Sequence, residues 1–143
     1  MGAGCLLFDN SGKLLILKPT YKDNWLLPGG VIEKNESPKQ ACIREVKEET
    51  AIDCHPTRLL CIDYVSDRQT DLESLQFVFV GGTIDNQTIT FPAREISTYQ
   101  FLELKPAISM LGLNSQRRLQ SCLPYLNSKI TVYLENGQID YSN

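Results

Sequence analysis

From Gly30 the chain runs five residues to Glu36, then seven more to Arg44-Glu45-Val46-Lys47-Glu48-Glu49-Thr50-Ala51-Ile52. Ser37 is a strong N-cap residue and Pro38 suits a first helical position, so the spacing predicts a helix from there to about Thr50. Glu48 and Glu49 follow Glu45 by three and four residues, which turns all three carboxylates to one side of that helix. Ala41, Ile43 and Val46 are left to face a core. Like charges this close repel. Glu48 and Glu49 also fall in the last turn, where the helix dipole disfavours anions. A bound cation relieves both costs, and clustered oxygen ligands suit hard Mg2+ or Mn2+. The plain alternative is a solvated acidic helix face. Pro28-Gly29-Gly30, read as a turn ahead of the helix, favours the metal. Paired glycines let backbone approach the helix, and a carbonyl there could complete the metal's shell.

The segment resembles the Nudix box, Gly-x5-Glu-x7-Arg-Glu-U-x-Glu-Glu-x-Gly-U with U aliphatic, at every defined position but one: Ala51 stands for the last glycine. Trp25-Leu26-Leu27-Pro28-Gly29-Gly30 resembles the run that leads into the box in many members. The resemblance implies an α/β fold, the MutT-like Nudix α/β/α sandwich with a mixed sheet, as a single domain over residues 1–143. It implies a Mg2+-dependent hydrolase, with Mn2+ a substitute, that cleaves the pyrophosphate bond of a nucleoside diphosphate linked to another group. A (d)NTP, a nucleotide sugar and an ADP-ribose type all qualify as that small-molecule substrate.

Carried over by position, Glu45, Glu48 and Glu49 are the metal ligands, with the Gly29 carbonyl as a further one. Arg44 pairs with a nearby glutamate and holds it in its ligating rotamer, and Glu36 has a supporting role. The general base is a box glutamate or one from a later loop, for which Glu95 is the candidate and Asp71 and Glu73 are weaker ones. Lys18, Lys22, Arg68 and Arg94 are candidates for phosphate or ribose, and Tyr21, Trp25 and Tyr64 for stacking a base. Family members are often dimers, so a homodimer is a further expectation. The alternative is a Nudix-like module that binds nucleotides without cleaving them, but such modules usually lose one or more of the glutamates, and all remain here. Ala51 carries no group that chemistry needs. If it adopts the left-handed backbone usual after a helix, alanine costs on the order of 1 kcal/mol there.

The elements that must position this helix are mostly strands. Ala3 to Phe8 and Lys13 to Leu17 flank the turn signal Asp9-Asn10-Ser11-Gly12 and read as a hairpin. After the helix, Arg58 to Val65 and Leu75 to Val80 read as strands, with polar Ser66 to Ser74 as a loop. Thr83 to Phe91 reads as a further strand region turning near Asp85-Asn86. Tyr99 to Leu104 alternates like a strand, and Pro106 to Leu111 suits a short helix. Ser115 to Leu126 carries Leu119, Cys122, Leu123 and Leu126 at helical spacing, with Pro124 weakening its end. Lys129 to Tyr133 and Gln138 to Tyr141 around Asn136-Gly137 read as a terminal hairpin.

Composition excludes several classes. A chain of 143 residues with 42% hydrophobic and 22% charged content can bury a core. A net charge of −3 without a basic stripe argues against nucleic-acid binding. No apolar run approaches a membrane span, and the N-terminus lacks signal-peptide zones, so a cytoplasmic protein is expected. The first strand begins almost at Met1, so the natural start could lie upstream. Five cysteines without a Cys-x-x-Cys pair read as buried free thiols. His55, beside Pro56, reads as a surface residue.

Overall fold

The computed structural model describes residues 1–84 and 88–140. In chain order the elements are β1 (Gly2–Phe8), β2 (Leu14–Pro19), β3 (Gly29–Val31), α1 (Pro38–Thr50), β4 (Arg58–Asp67), β5 (Leu72–Thr83), β6 (Ile96–Leu102), α2 (Leu104–Met110), α3 (Leu113–Cys122) and β7 (Val132–Glu135). A seven-stranded sheet runs β6-β2-β1-β5-β4-β7, with β3 pairing β1. It is mixed: β1–β5 and β4–β7 are parallel and the other pairs antiparallel.

Alternation along β1 and β2 sorts the side chains between two layers. Ala3, Cys5, Leu7, Leu15 and Leu17 join Ala41, Cys42 and Val46 of α1. Leu6, Leu14 and Ile16 join Ala107 and Ile108 of α2 and Leu119 and Cys122 of α3. Both faces of the sheet are covered, which is why these strands read as unbroken apolar runs. The result is the α/β/α sandwich. The five cysteines are free and buried, and His55 is exposed. Among the described residues no helix is long and apolar enough to cross a membrane.

β1 and β2 meet at Phe8 opposite Leu14 and then diverge. The chain from Trp25 to Val31 fills the wedge between them. Leu26 bridges Leu17, the Cys5 N–H donates to the Pro28 carbonyl at 2.9 Å, and β3 pairs β1 with Ala3 opposite Gly30. The expected Pro28-Gly29-Gly30 turn is therefore corrected: Gly29 and Gly30 open a short strand. Gly29 must lack a side chain, because its φ is +150° and a Cβ there would lie 2.3 Å from the Ala3 carbonyl oxygen.

Other expectations differ from the structure through long-range pairing. Ser66 to Ser74 is mostly strand, with β4 and β5 paired out to Asp67 opposite Leu72. Polar residues are tolerated there because this arm is largely exposed. β5 continues through Gly81-Gly82 to Thr83 along β1, past an irregularity at Leu6/Leu7. Gly81 permits this approach, since a Cβ there would lie 2.5 Å from the Cys5 sulfur. Residues 88–91 are not strand, and the turn expected at Asp85-Asn86 lies outside the described residues. α3 stops at Cys122 and tightens into a 3-10 turn, Leu123–Tyr125, where Pro124 has no amide proton to continue the ladder. The terminal hairpin is reduced to one bridge, Glu135 to Gln138, because β7 pairs β4 instead. Tyr141 lies outside the described residues.

Candidate active site

The acidic helix is fixed locally at both ends. Ser37 Oγ accepts the Gln40 N–H at 3.2 Å and Gln40 Oε1 accepts the Ser37 N–H at 2.9 Å, a reciprocal capping box. At the other end Ala51 is left-handed, φ 62°, with its N–H donating to the Lys47 carbonyl at 2.9 Å. β3 lies against the helix between these ends. A Cβ on Gly30 would stand 2.4 Å from the Glu45 carboxyl carbon, so only glycine leaves room for that carboxylate.

Glu49 is buried, 7% exposed, and its Oε1 accepts the Gly29 N–H at 2.8 Å. Burial pushes its carboxyl up to about 8; the Gly29 N–H opposes this, and the negative charges of Glu45, Glu95 and Glu48 add to it. Arg44 grips Glu36 with both ends of its fork, at 2.7 and 2.9 Å. Its Nη1 also donates to Glu45 at 2.8 Å and to Glu48 at 3.2 Å, and Nη2 to the Val31 carbonyl at 3.0 Å. That guanidinium, with the Glu33 N–H, holds the Glu36 carboxyl down to about 2. Among the described residues no three carboxylate, thiol or imidazole groups enclose an ion-sized space as they stand. Glu45 and Glu48 are both held by Arg44 Nη1. The donor set nevertheless fits a hard cation: three carboxylates on one helix face, one of them buried and raised chiefly by that burial.

A cavity of about 450 Å³ opens beside Gly29 and Gly30, walled by Tyr21, Lys22, Gln76, Phe77, Ser115 and Arg118 among others. Tyr21 stands at its mouth, and burial, then the charges of Glu49, Glu95 and Glu45, raises its hydroxyl pKa. Glu95 therefore lies within electrostatic reach of the box. Its loop is tied down by the Thr20 N–H on the Glu95 carbonyl at 2.9 Å and Thr20 Oγ1 on the Arg94 carbonyl at 2.6 Å.

Four expected substrate contacts are placed elsewhere. Lys18 spends its ammonium on the Lys22 and Asp23 carbonyls, at 2.6 and 2.7 Å, and so shapes the loop rather than facing the cavity. Trp25 packs into the α2/α3 layer, with its backbone N–H donating to the Met110 carbonyl at 3.0 Å. Arg68 sits at the β4–β5 tip in a separate depression with Asp71 and Glu73, and Tyr64 donates to Glu73 on that same arm. Lys22 does line the cavity. Gln76, Ser115 and Arg118 were missed because no local spacing links them to the box; strand register and α3 bring them there.

A mixed sheet between α1 and the α2/α3 pair, with an acidic helix against a glycine strand, defines a Nudix-type domain. The chain belongs to the NUDIX domain family, whose model matches residues 1–120. It is 39% identical over 57 residues to an RNA pyrophosphohydrolase of Hydrogenovibrio crunogenus, a match covering 40% of this chain and 34% of that relative. The chain thus spans only part of the curated relatives it matches. Its fold is similar to a mutator MutT protein from Bacillus halodurans (TM-score 0.73, 19% identity, 92% of this chain and 85% of that one). It is similar likewise to a C. elegans Ap4A hydrolase (TM-score 0.70, 21% identity, 87% and 96%).

Proposed function

We propose that this chain is a Mg2+-dependent pyrophosphohydrolase, with Mn2+ a substitute, acting on a small nucleotide in which a nucleoside diphosphate is linked to another group. The observation that carries the reading is Glu49: a carboxylate beside a glycine strand whose pKa is raised first by its burial and then by the charges of Glu45, Glu95 and Glu48. A structural glutamate gains nothing from such surroundings, whereas a metal ligand does. Glu45, Glu48 and Glu49, with the Gly29 carbonyl, would hold the cation. Bound there, it supplies charge neutralisation of the diphosphate and a lowered pKa for the attacking water.

The protein's own groups do the rest. Arg44, anchored on Glu36 by two hydrogen bonds, positions Glu45 and Glu48 and limits their rotamers. Glu95, exposed and within electrostatic reach of Glu49 and Tyr21, is the candidate base that accepts a proton from water. Tyr21 at the cavity mouth can stack a base. The net charge of −3 favours a small nucleotide over a long nucleic acid. The name of the H. crunogenus relative, an RNA pyrophosphohydrolase, makes RNA one substrate to include. A cytoplasmic setting and a homodimer accompany this reading.

The test is release of nucleoside monophosphate, phosphate or pyrophosphate, with Mg2+ and with chelator, over (d)NTPs, nucleotide sugars, ADP-ribose, dinucleoside polyphosphates and RNA. Mg2+-dependent release from at least one is expected. Nucleotide binding without release from any would support the non-catalytic module instead.

A further inference from the structure

Arg118 and Asp63 form a buried ion pair that the hydrolytic step does not use. Asp63 on β4 is fully buried, and Arg118 on α3 is 8% exposed. Arg118 Nε donates to Asp63 Oδ2 at 2.8 Å, and the Gly137 N–H donates to Asp63 Oδ1 at 2.9 Å. The C-terminal turn is shaped to hold this arrangement. Gly137 has φ 77°, and a Cβ there would meet Arg117 Cβ at 2.7 Å and Arg118 N at 2.9 Å. Ser121 Oγ on α3 donates to the Gly137 carbonyl at 2.7 Å.

Both Asp63 oxygens are thus committed, while Nη1 and Nη2 of Arg118 have no hydrogen-bond partner among the described residues. No fully buried side-chain nitrogen or oxygen among those residues lacks a partner. The two NH2 groups must therefore reach open space, and Arg118 lines the cavity beside Gly29 and Gly30.

Register brings a second polar group to the same place. Gly2, Gln76 and Asp63 stand opposite one another on β1, β5 and β4, so their positions share one sheet face. Gln76 Nε2 donates to Ser74 Oγ at 2.8 Å, which turns Oε1 the other way. Position 2 must be glycine for that, since a Cβ would lie 2.5 Å from this oxygen. The cavity then offers a two-donor guanidinium fork with an amide acceptor nearby.

Charge decides what suits it. Asp63 cancels the Arg118 charge, so the fork attracts a second anion weakly and matches a neutral pair of adjacent acceptors. A 6-oxopurine displays O6 and N7 in this way, and its N1–H is a donor for an amide oxygen. Adenine puts an amino donor where the fork needs an acceptor.

We propose that Arg118, held by Asp63 and Gly137 and assisted by Gln76, is a specificity-determining residue that reads the O6/N7 edge of a 6-oxopurine nucleotide. This rests on the nucleotide-hydrolase reading above and names its base. Calorimetric titration with GMP, IMP and AMP in Mg2+ tests it without turnover. GMP and IMP are expected to bind at least about 10-fold tighter than AMP, and 7-deaza-GMP, which lacks N7, to fall toward AMP. In Arg118→Lys the ammonium keeps a charge partner for Asp63 but loses the fork, so the GMP preference should shrink to within about two-fold.

Equal binding of GMP and AMP by the wild type, no nucleotide binding, or a preference retained in Arg118→Lys would overturn the assignment. Should Arg118→Lys not fold, 7-deaza-GMP decides on the wild type alone: binding equal to GMP overturns the proposal and weaker binding supports it. A GMP preference without hydrolysis of any substrate would sink the proposed activity and leave the base reading standing.

Discussion

The Glu49 carboxyl is buried and titrates near 8, against about 4.3 for an exposed glutamate. Between those values the native state keeps a proton that the unfolded chain has lost. Stability without metal should therefore fall as pH rises from about 5 to about 8. Thermal melts in chelator should follow that decline, and Glu49→Gln, which cannot ionise, should flatten it. A wild-type melting temperature that held level or rose across the interval would contradict the burial argument. Arg44 makes a second residue-scale test. Lysine keeps the charge but cannot grip Glu36 with two bonds while also reaching Glu45 and Glu48. Arg44→Lys should lower kcat by about 10- to 100-fold through misplaced glutamates. Rates within two-fold of wild type would show that the guanidinium fork does not position them.

At the scale of elements, α1 is the best-defined piece because its signals are local. Ser37, Pro38 and Gln40 set its start, and Ala51 closes it in the left-handed conformation anticipated for a glycine. Ala51→Gly removes the Cβ clash and should stabilise by roughly 1 kcal/mol, read from denaturant melts, with kcat within a few-fold. A large change in kcat at unchanged stability would mean that the helix end shapes the site. Gly30→Ala acts oppositely, because its Cβ would strike the Glu45 carboxyl. Turnover should fall while far-UV dichroism stays native, and unaltered turnover would argue that Glu45 does not need that position. The same contrast between local and distant causes separates what the sequence revealed from what it hid. The β1–β2 hairpin was legible because Asp9 Oδ1 accepts N–H groups of Ser11 and Lys13 within the turn. The glycine strand β3 was not, since its partner Ala3 lies far along the chain. Polar Ser66 and Ser74 likewise read as loop, although pairing across β4 and β5 makes them strand.

For the whole molecule, the box and its helix were readable in one stretch, whereas the wall opposite was not. Asp63 and Arg118 meet 55 residues apart in sequence, and Asp63 meets Gly137 at a separation of 74. Only the assembled sheet gives them a common cavity. Lys18, Trp25 and Arg68 failed as cavity contacts for the converse reason: nearness in sequence to the box or polarity alone did not decide where packing sent them. A global consequence follows from the acidic cluster. A cation that binds only the native state should stabilise it, by about 1.4 kcal/mol at ten times its dissociation constant. The melting temperature should thus rise with Mg2+ in the wild type, and less in Glu48→Gln; indifference to millimolar Mg2+ would argue against the cluster. The most direct measurement compares Mg2+-dependent hydrolysis by the wild type and Glu49→Gln at equal folded concentration. The expected result is turnover that needs Mg2+ and falls by about 100-fold or more in a fully folded Glu49→Gln; near-normal turnover in that variant, or wild-type turnover undiminished by chelator, would contradict it.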